Sequence, residues 1–264
     1  MADDIVGARF ERTTLSAPVF ERVEITGAQF RNVEFKDADM RGVDLVGVRL
    51  RGGMLDDVDI SGEVGRVTIN GIEVGPLIRA ELERRHPDLV KMKPADAAGF
   101  REAWATLGRL WAGTVERASR LDPALLHESV DGEWSFIETL RHLSFATESW
   151  VLRAIQGDPA PWDALSLPWD EMEDTPGVPR DRSARPSLAQ ALALRSDRFE
   201  RVRAYLSTLT DDELNGMTTP VAGPGWPPAK SFPVRKCLEI VCNEEWWHRT
   251  FAERDLAVLE AASK

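Results

Sequence analysis

The sequence predicts a two-part chain, in which a coil of five-residue repeats precedes a four-helix bundle. Two periodicities support this prediction. Large apolar residues recur every five positions from Phe10 to Ile60, whereas from Pro94 onward they follow the 3.6-residue period of amphipathic helices. The aromatic composition changes in the same region, since all nine Trp residues lie after residue 100. The chain therefore divides after about its first third.

The first part repeats without a gap. A large apolar residue stands at each fifth position, and a small or β-branched residue stands two positions before most of them. The large residues are Phe10, Leu15, Phe20, Ile25, Phe30, Phe35, Met40, Leu45, Leu50, Leu55 and Ile60. A period of five fits neither a helix nor a strand, but it fits a coil that turns a corner every five residues. In such a coil the large residue and its small partner point inward.

The run Ala38-Asp39-Met40-Arg41-Gly42 resembles the A-(D/N)-L-x-x motif of the pentapeptide-repeat family. The resemblance implies a right-handed quadrilateral β-helix over residues 1–75. Long acidic members of that family imitate duplex DNA and bind topoisomerases. Residues 1–75 carry nine basic and 14 acidic side chains, and the arginines interrupt the negative surface. We therefore expect a packing or dimerisation module rather than a topoisomerase partner.

The second part predicts a linker helix over residues 76–94 and a bundle over 95–264. The four bundle helices are expected at about 95–121, 135–156, 187–209 and 234–261. Ser135 and Glu138 form the S-x-x-E pattern of a capping box at the start of the second helix. The two long connections, 157–186 and 216–233, contain Trp162, Trp169 and Trp226, which indicates that they pack over the bundle.

Overall composition excludes several classes of function. The net charge of −11 disfavours a nucleic-acid partner, which needs a basic surface. No apolar run reaches the ~20 residues of a membrane-spanning helix, and the first residues lack a signal-peptide pattern. Cys237 and Cys242 are too few for a disulfide framework. A cytoplasmic protein with no membrane partner is expected.

Two helices carry the candidate chemistry. Glu244 and His248 are four residues apart and share one face of the last helix, while His142 lies inside the second helix. If these helices face each other, two imidazoles and one carboxylate converge in the three-ligand arrangement that catalytic metals use. Glu245 lies nearer the apolar stripe, where a carboxylate needs a partner. The alternative is a buried hydrogen-bonded His–Glu pair, or an ion pair with Arg249.

Two motifs carry a further resemblance. Trp134-Ser135 followed by His142-Leu143 resembles the W-[ST]-x6-H-L signature of the DinB-like superfamily. The run Asn243-Glu244-Glu245-Trp246-Trp247-His248-Arg249 is similar to the N-H-x-x-x-H-R segment of that superfamily. The resemblance implies a four-helix bundle over 95–264 that is commonly dimeric and binds zinc, nickel or another divalent metal through three histidines. Some relatives are transferases or isomerases that depend on mycothiol, bacillithiol or glutathione.

The resemblance assigns the metal ligands to His142, Glu244 and His248, with Glu244 standing where the superfamily has its middle histidine. Glutamate also binds zinc, so a His2Glu set can be catalytic. Equally, the substitution can mark a member that kept the fold and lost the metal. In the catalytic reading, Glu245 acts as a partner of a ligand or as a base, and a low-molecular-weight thiol attacks a small electrophile. In the alternative reading, the protein is a non-enzymatic scaffold whose repeat coil binds a partner.

Overall fold

The computed structural model describes residues 8–11, 13–20, 23–40, 42–62 and 64–262. The chain divides into two compact units, one ending at Ser61 and one beginning at Gly62. Each unit is described by itself below.

The backbone of the first unit bends with a period of five residues. A residue with a positive φ angle recurs two positions after a large apolar residue, at Ala17, Gly27, Asn32, Asp37, Gly42, Gly47, Gly52 and Asp57. Glycine, asparagine and aspartate tolerate this left-handed conformation better than other residues, and they fill all of these positions except that of Ala17. The spacing of the apolar residues therefore matches a periodic change in backbone direction.

The β-helix itself is not shown. The described residues between 8 and 61 form no strand. The eleven apolar side chains that we expected to point inward are exposed by 50% to 76%. The β-helix therefore stays a prediction for this segment.

The second unit opens with a small hairpin. Strands β1 (Thr68–Ile69) and β2 (Ile72–Glu73) pair antiparallel, with Ile69 opposite Ile72. Asn70 and Gly71 form the turn with φ angles of 49° and 82°, which is the conformation that Asn-Gly favours in two-residue hairpins. Helix α1 (Gly75–Arg85) and a 3-10 helix (Pro87–Met92) follow in the region of the predicted linker helix.

Four long helices form the bundle, as the sequence predicted. They are α2 (Ala97–Ala118), α3 (Phe136–Thr147), α4 (Leu188–Thr208) and α6 (Val234–Ala262), with a 3-10 turn (Leu125–His127) after α2 and the short α5 (Asp211–Leu214) before α6. Helix α3 packs against α4 and α6, and α2 packs against the same two helices. Each of α2 and α3 therefore has α4 on one side and α6 on the other.

Helix α3 begins at the predicted capping box. The Ser135 hydroxyl accepts a hydrogen bond from the Glu138 backbone N–H, and the Glu138 carboxylate accepts one from the Ser135 backbone N–H. After Thr147 the helix continues as a π-helical segment, Glu148–Arg153. The helix that the sequence predicted as one α-helix thus widens in its last turns.

Glu148 begins the π-helical segment and is fully buried. Its Oε1 accepts hydrogen bonds from Arg198 Nε of α4 at 2.8 Å and from the Asp163 backbone N–H at 3.2 Å. Despite these partners, desolvation raises the pKa of Glu148 to about 7. This side chain therefore changes its charge near neutral pH.

The two long connections, residues 154–187 and 215–233, meet over the bundle. The Trp169 and Trp226 rings, one from each connection, contact edge to face with centroids 5.0 Å apart. The buried Arg153 donates hydrogen bonds to the carbonyl oxygens of Pro159 at 2.6 Å and Gly223 at 3.0 Å, and so ties the connections to the same helix. Among the described residues no helix is both long and apolar enough to cross a membrane.

Candidate metal centre

Three polar side chains from two facing helices converge. The contact between α3 and α6 brings His142 to the face of α6 on which Glu244 and His248 lie one turn apart. Glu244 Oε2 lies 3.4 Å from His142 Nε2 and 3.0 Å from His248 Nε2. One donor atom from each residue falls within 4.8 Å of the other two, so the structure brings together the three predicted ligands.

A main-chain carbonyl orients the His142 ring. The carbonyl oxygen of Leu167, in the 154–187 connection, lies 3.1 Å from His142 Nδ1. Because a carbonyl oxygen can only accept, Nδ1 carries the proton. Histidines that bind metals commonly donate from their second ring nitrogen in this way, which leaves the other nitrogen free.

The electrostatics of the cluster suit a cation. Burial lowers the pKa of His142, which favours the neutral ring, and with the proton on Nδ1 its Nε2 faces Glu244 unprotonated. Burial opposes ionisation of Glu244, but a proton or another positive charge at the His142 and His248 nitrogens that face it outweighs burial and holds the pKa of Glu244 well below its usual range. A lone pair therefore faces a carboxylate across 3.4 Å, and a positive ion would relieve this repulsion.

The two donor separations around Glu244 Oε2 also suit a metal ion. Donors that lie about 2.0 to 2.2 Å from a tetrahedral ion are separated from each other by about 3.3 to 3.6 Å. The separations of 3.4 Å and 3.0 Å around Glu244 Oε2 are close to that range. Nitrogen and carboxylate donors are those that zinc accepts, and nickel also binds imidazole.

Trp134 covers the two imidazoles. Its ring stacks nearly parallel to His248 at 5.5 Å and lies 4.3 Å from the His142 ring, centroid to centroid. Trp134 immediately precedes the capping residue Ser135, so the start of α3 fixes its place, and its Nε1 donates to Asp170 at 3.3 Å. The cluster thus has an aromatic cover that is itself hydrogen-bonded to the 154–187 connection.

Glu245, the predicted base, is bonded elsewhere. The residue is 2% exposed, and its Oε2 accepts a hydrogen bond from Arg195 of α4. The Arg195 guanidinium, 8% exposed, also lies over the Trp111 ring at 4.6 Å. Desolvation raises the pKa of Glu245 in spite of this partner. The group of converging donor atoms does not include Glu245, and its role as a base stays a prediction.

Arg195 is the residue that sequence reasoning missed, and a signal for it was present. It occupies a position of the apolar stripe of α4, three residues after Leu192 and four before Phe199. A charged residue in such a stripe needs a buried partner of opposite charge, and Glu245 shows the same anomaly in α6. The two anomalies together predict the pair.

A family model described as the DinB superfamily matches residues 106–252, more than half of the chain. The chain belongs to the DinB superfamily. A model of pentapeptide repeats, with eight copies, matches residues 15–52 and 24–62. This DinB-superfamily chain matches none of the curated proteins and none of the solved structures with which it was compared.

The match confirms both resemblances on which the sequence analysis relied. In this DinB-superfamily chain the stretch from residue 106 to 252 contains His142, Glu244 and His248 together with their cover, Trp134. Cys237 and Cys242 also lie within it, but both are buried and outside the converging group. The cluster is therefore a possible metal site built from nitrogen and oxygen donors alone.

Proposed function

We propose that the helical bundle is a divalent-metal-dependent transferase that joins an external low-molecular-weight thiol to a small electrophile. The observation that carries the proposal is the convergence of His142 Nε2, Glu244 Oε2 and His248 Nε2 within 4.8 Å. Three protein donors leave coordination positions open for a substrate, as catalytic sites require. Zinc and nickel are the ions that we expect.

The chain's own cysteines cannot supply the reacting thiolate. Cys237 and Cys242 are buried, and burial raises the pKa of their thiols to about 11 and about 12. Thiolate is the nucleophilic form, and at neutral pH very little of it forms at such values. The nucleophile therefore comes from a cosubstrate. Arginine predominates over lysine in this sequence, which hints at a GC-rich bacterial genome and makes mycothiol the first thiol to test.

The residues of the site have different roles. His142, Glu244 and His248 would hold the ion, which when bound lowers the pKa of a thiol bound to it. Glu244 and His248 keep 31% and 21% of their side-chain surface exposed, so small molecules can reach them. Trp134 shields the imidazoles from water and offers an aromatic face to the electrophile.

The proposed transfer is a substitution at carbon and needs no oxidant. The thiol gives its proton to solvent, and its sulfur forms a bond with the electrophilic carbon. The leaving group departs with the electron pair of the broken bond. The chain's residues hold the reactants together, and the two tryptophan-bearing connections would restrict which electrophile enters.

The test begins with metal content. Untagged full-length protein is measured by plasma mass spectrometry beside His142→Ala, His248→Ala and the control His86→Ala, whose histidine lies outside the cluster. We expect about one equivalent of divalent metal in the wild type and the control, and none in the two site variants. Glu244→His is expected to keep the metal, because it restores a third imidazole.

Activity is then followed by the loss of free thiol. The loaded protein is mixed with mycothiol, bacillithiol or glutathione and a reactive halide, and thiol is titrated over time. Consumption that requires the metal and is lost in His142→Ala supports the proposal. Absence of metal from the wild type, even after incubation with zinc, nickel and manganese, would refute it and favour the scaffold reading.

A further inference from the structure

Arg141 immediately precedes the candidate ligand His142 in α3 and is 1% exposed. Its guanidinium donates to three main-chain carbonyl oxygens: those of Leu165 at 2.7 Å, Ala184 at 3.3 Å and Asp181. A charge withdrawn from water to this extent needs such acceptors, since its desolvation is otherwise uncompensated. Arg141 and these carbonyl groups therefore hold one another in place.

The three acceptors belong to both limbs of the 154–187 connection. Leu165 lies on the limb that leaves the helix, whereas Asp181 and Ala184 lie on the limb that returns to α4. The backbone of Arg141 adds a fourth bond, because the Leu167 N–H donates to the Arg141 carbonyl at 3.3 Å. A planar guanidinium has donors on several sides and can join two limbs, which a lysine ammonium on its flexible stem cannot do in the same way.

The outgoing limb reaches the metal centre at Leu167. This residue is fully buried two positions after Leu165, and its carbonyl oxygen accepts from His142 Nδ1 at 3.1 Å. If the limb moved away, Nδ1 would lose its acceptor, and the proton could shift to Nε2 beside the Glu244 carboxylate. Nε2 would then lack the lone pair that binds a metal.

We propose that Arg141 is a positioning residue of the metal centre. By holding the segment from Leu165 to Leu167 against α3, it keeps the Leu167 carbonyl on Nδ1 of His142, and the ring stays in the tautomer whose Nε2 is free. The effect on metal binding rests on the proposed function, whereas the effect on the tautomer does not.

Arg153 provides a matched control at the other end of the same helical element. It is also 1% exposed, and it also donates to carbonyl oxygens, those of Pro159, Gly223 and Pro227. None of these three residues is hydrogen-bonded to His142, Glu244 or His248. Arg153→Lys therefore removes the same kind of bonds without releasing the carbonyl that orients a ligand.

The experiment uses full-length protein with ¹⁵N-labelled histidine in three forms: wild type, Arg141→Lys and Arg153→Lys. The tautomer of His142 is measured in metal-free protein from its long-range proton–nitrogen couplings. The affinity for Co²⁺ is then measured from the visible absorption of the bound ion. Circular dichroism establishes which forms are folded.

We expect the wild-type His142 ring to be protonated at Nδ1 alone. In Arg141→Lys the ring should become a mixture of tautomers, and Co²⁺ should bind about 10- to 100-fold more weakly. Arg153→Lys should match the wild type in both respects. A wild-type ring protonated at Nε2 would overturn the proposal, even if Arg141→Lys does not fold. A folded Arg141→Lys with the wild-type tautomer and affinity would overturn it as well.

The two proposals fail in different ways. A wild type that shows the Nδ1 tautomer but binds no Co²⁺ would refute the proposed function and, with it, the effect of Arg141 on affinity. The tautomer measurement would still decide whether Arg141 orients His142.

Discussion

Glu245 and Arg195 form a buried ion pair whose disruption should affect folding far more than metal binding. Glu245 is 2% exposed and Arg195 8%, so removing either partner leaves the other as a buried charge without its counterion. Such a loss typically costs about 3 to 5 kcal/mol. We therefore expect Glu245→Leu and Arg195→Met each to lower the free energy of unfolding by about that amount.

The double variant should recover most of this loss, because two apolar side chains of similar size need no counterion. Urea denaturation, followed by circular dichroism, measures the free energy of unfolding of the wild type, the two single variants and the double variant, which together form a double-mutant cycle. Glu200→Leu provides the control: Glu200 pairs with Arg203 on the exposed side of α4, where such a pair is worth about 1 kcal/mol or less.

The same variants separate a structural role of Glu245 from a catalytic one. If the carboxylate only balances Arg195, the folded Glu245→Leu protein keeps its metal and its rate of thiol consumption. The reasoning is wrong if Glu245→Leu unfolds at the wild-type urea concentration but loses turnover. That result would instead place Glu245 in the chemistry, as the sequence analysis predicted.

Three further predictions follow from single side chains. Because the folded pKa of Glu148 is about 7 against an ordinary 4.5, the wild type should lose about 2 to 3 kcal/mol of stability as the pH rises from 5 to 8; urea melts of Glu148→Gln should show a correspondingly smaller loss. Ni²⁺ should quench the tryptophan fluorescence, and Trp134→Phe should remove more than one ninth of that quenching, the share expected if all nine tryptophans contributed equally. A share of only one ninth would contradict the stacking of Trp134 on the site. Gly225→Ala would place Cβ 2.8 Å from Arg153 Cζ and against the Trp162 ring. In urea melts it should therefore lower the free energy of unfolding by about 1 to 3 kcal/mol, more than Gly177→Ala, whose Cβ would meet open space.

The parts of the site that depend on neighbours along the chain could be predicted. The spacing of Glu244 and His248 places them one helical turn apart, and the Ser135 capping box fixes where α3 begins. Adding His142 to this pair required only that α3 and α6 face each other, which a four-helix bundle offers as one of few arrangements.

The contacts that cross from the loops could not be predicted in the same way. Leu167 reaches His142 because of its main-chain carbonyl, which every residue possesses, so no residue type marks the position. Arg141 and Arg153 are buried by connections whose path depends on tertiary packing rather than on periodicity. The widening of α3 into a π-helical segment likewise left no periodic signal that we recognised.

The first unit shows the same division between local and long-range structure. Its five-residue spacing predicted where the backbone changes direction, since seven of its eight positive φ angles fall on glycine, asparagine or aspartate. The pairing of one coil with the next is a long-range property, and the described residues between 8 and 61 show no strand in which to read it. Local bending was therefore predictable from the residues, whereas the β-helix remains to be tested.

The same five-residue bend limits how this segment can change in length during evolution. Gaining or losing five residues keeps every later residue in phase, so the coil can grow or shrink by whole modules. Deleting a single residue would bring Val33, Val43, Val48 and Val58 into backbone positions now held by Asn32, Gly42, Gly47 and Asp57. A β-branched residue strongly resists the left-handed conformation, so a one-residue shift would distort these four corners. Related chains should therefore differ here by multiples of five residues.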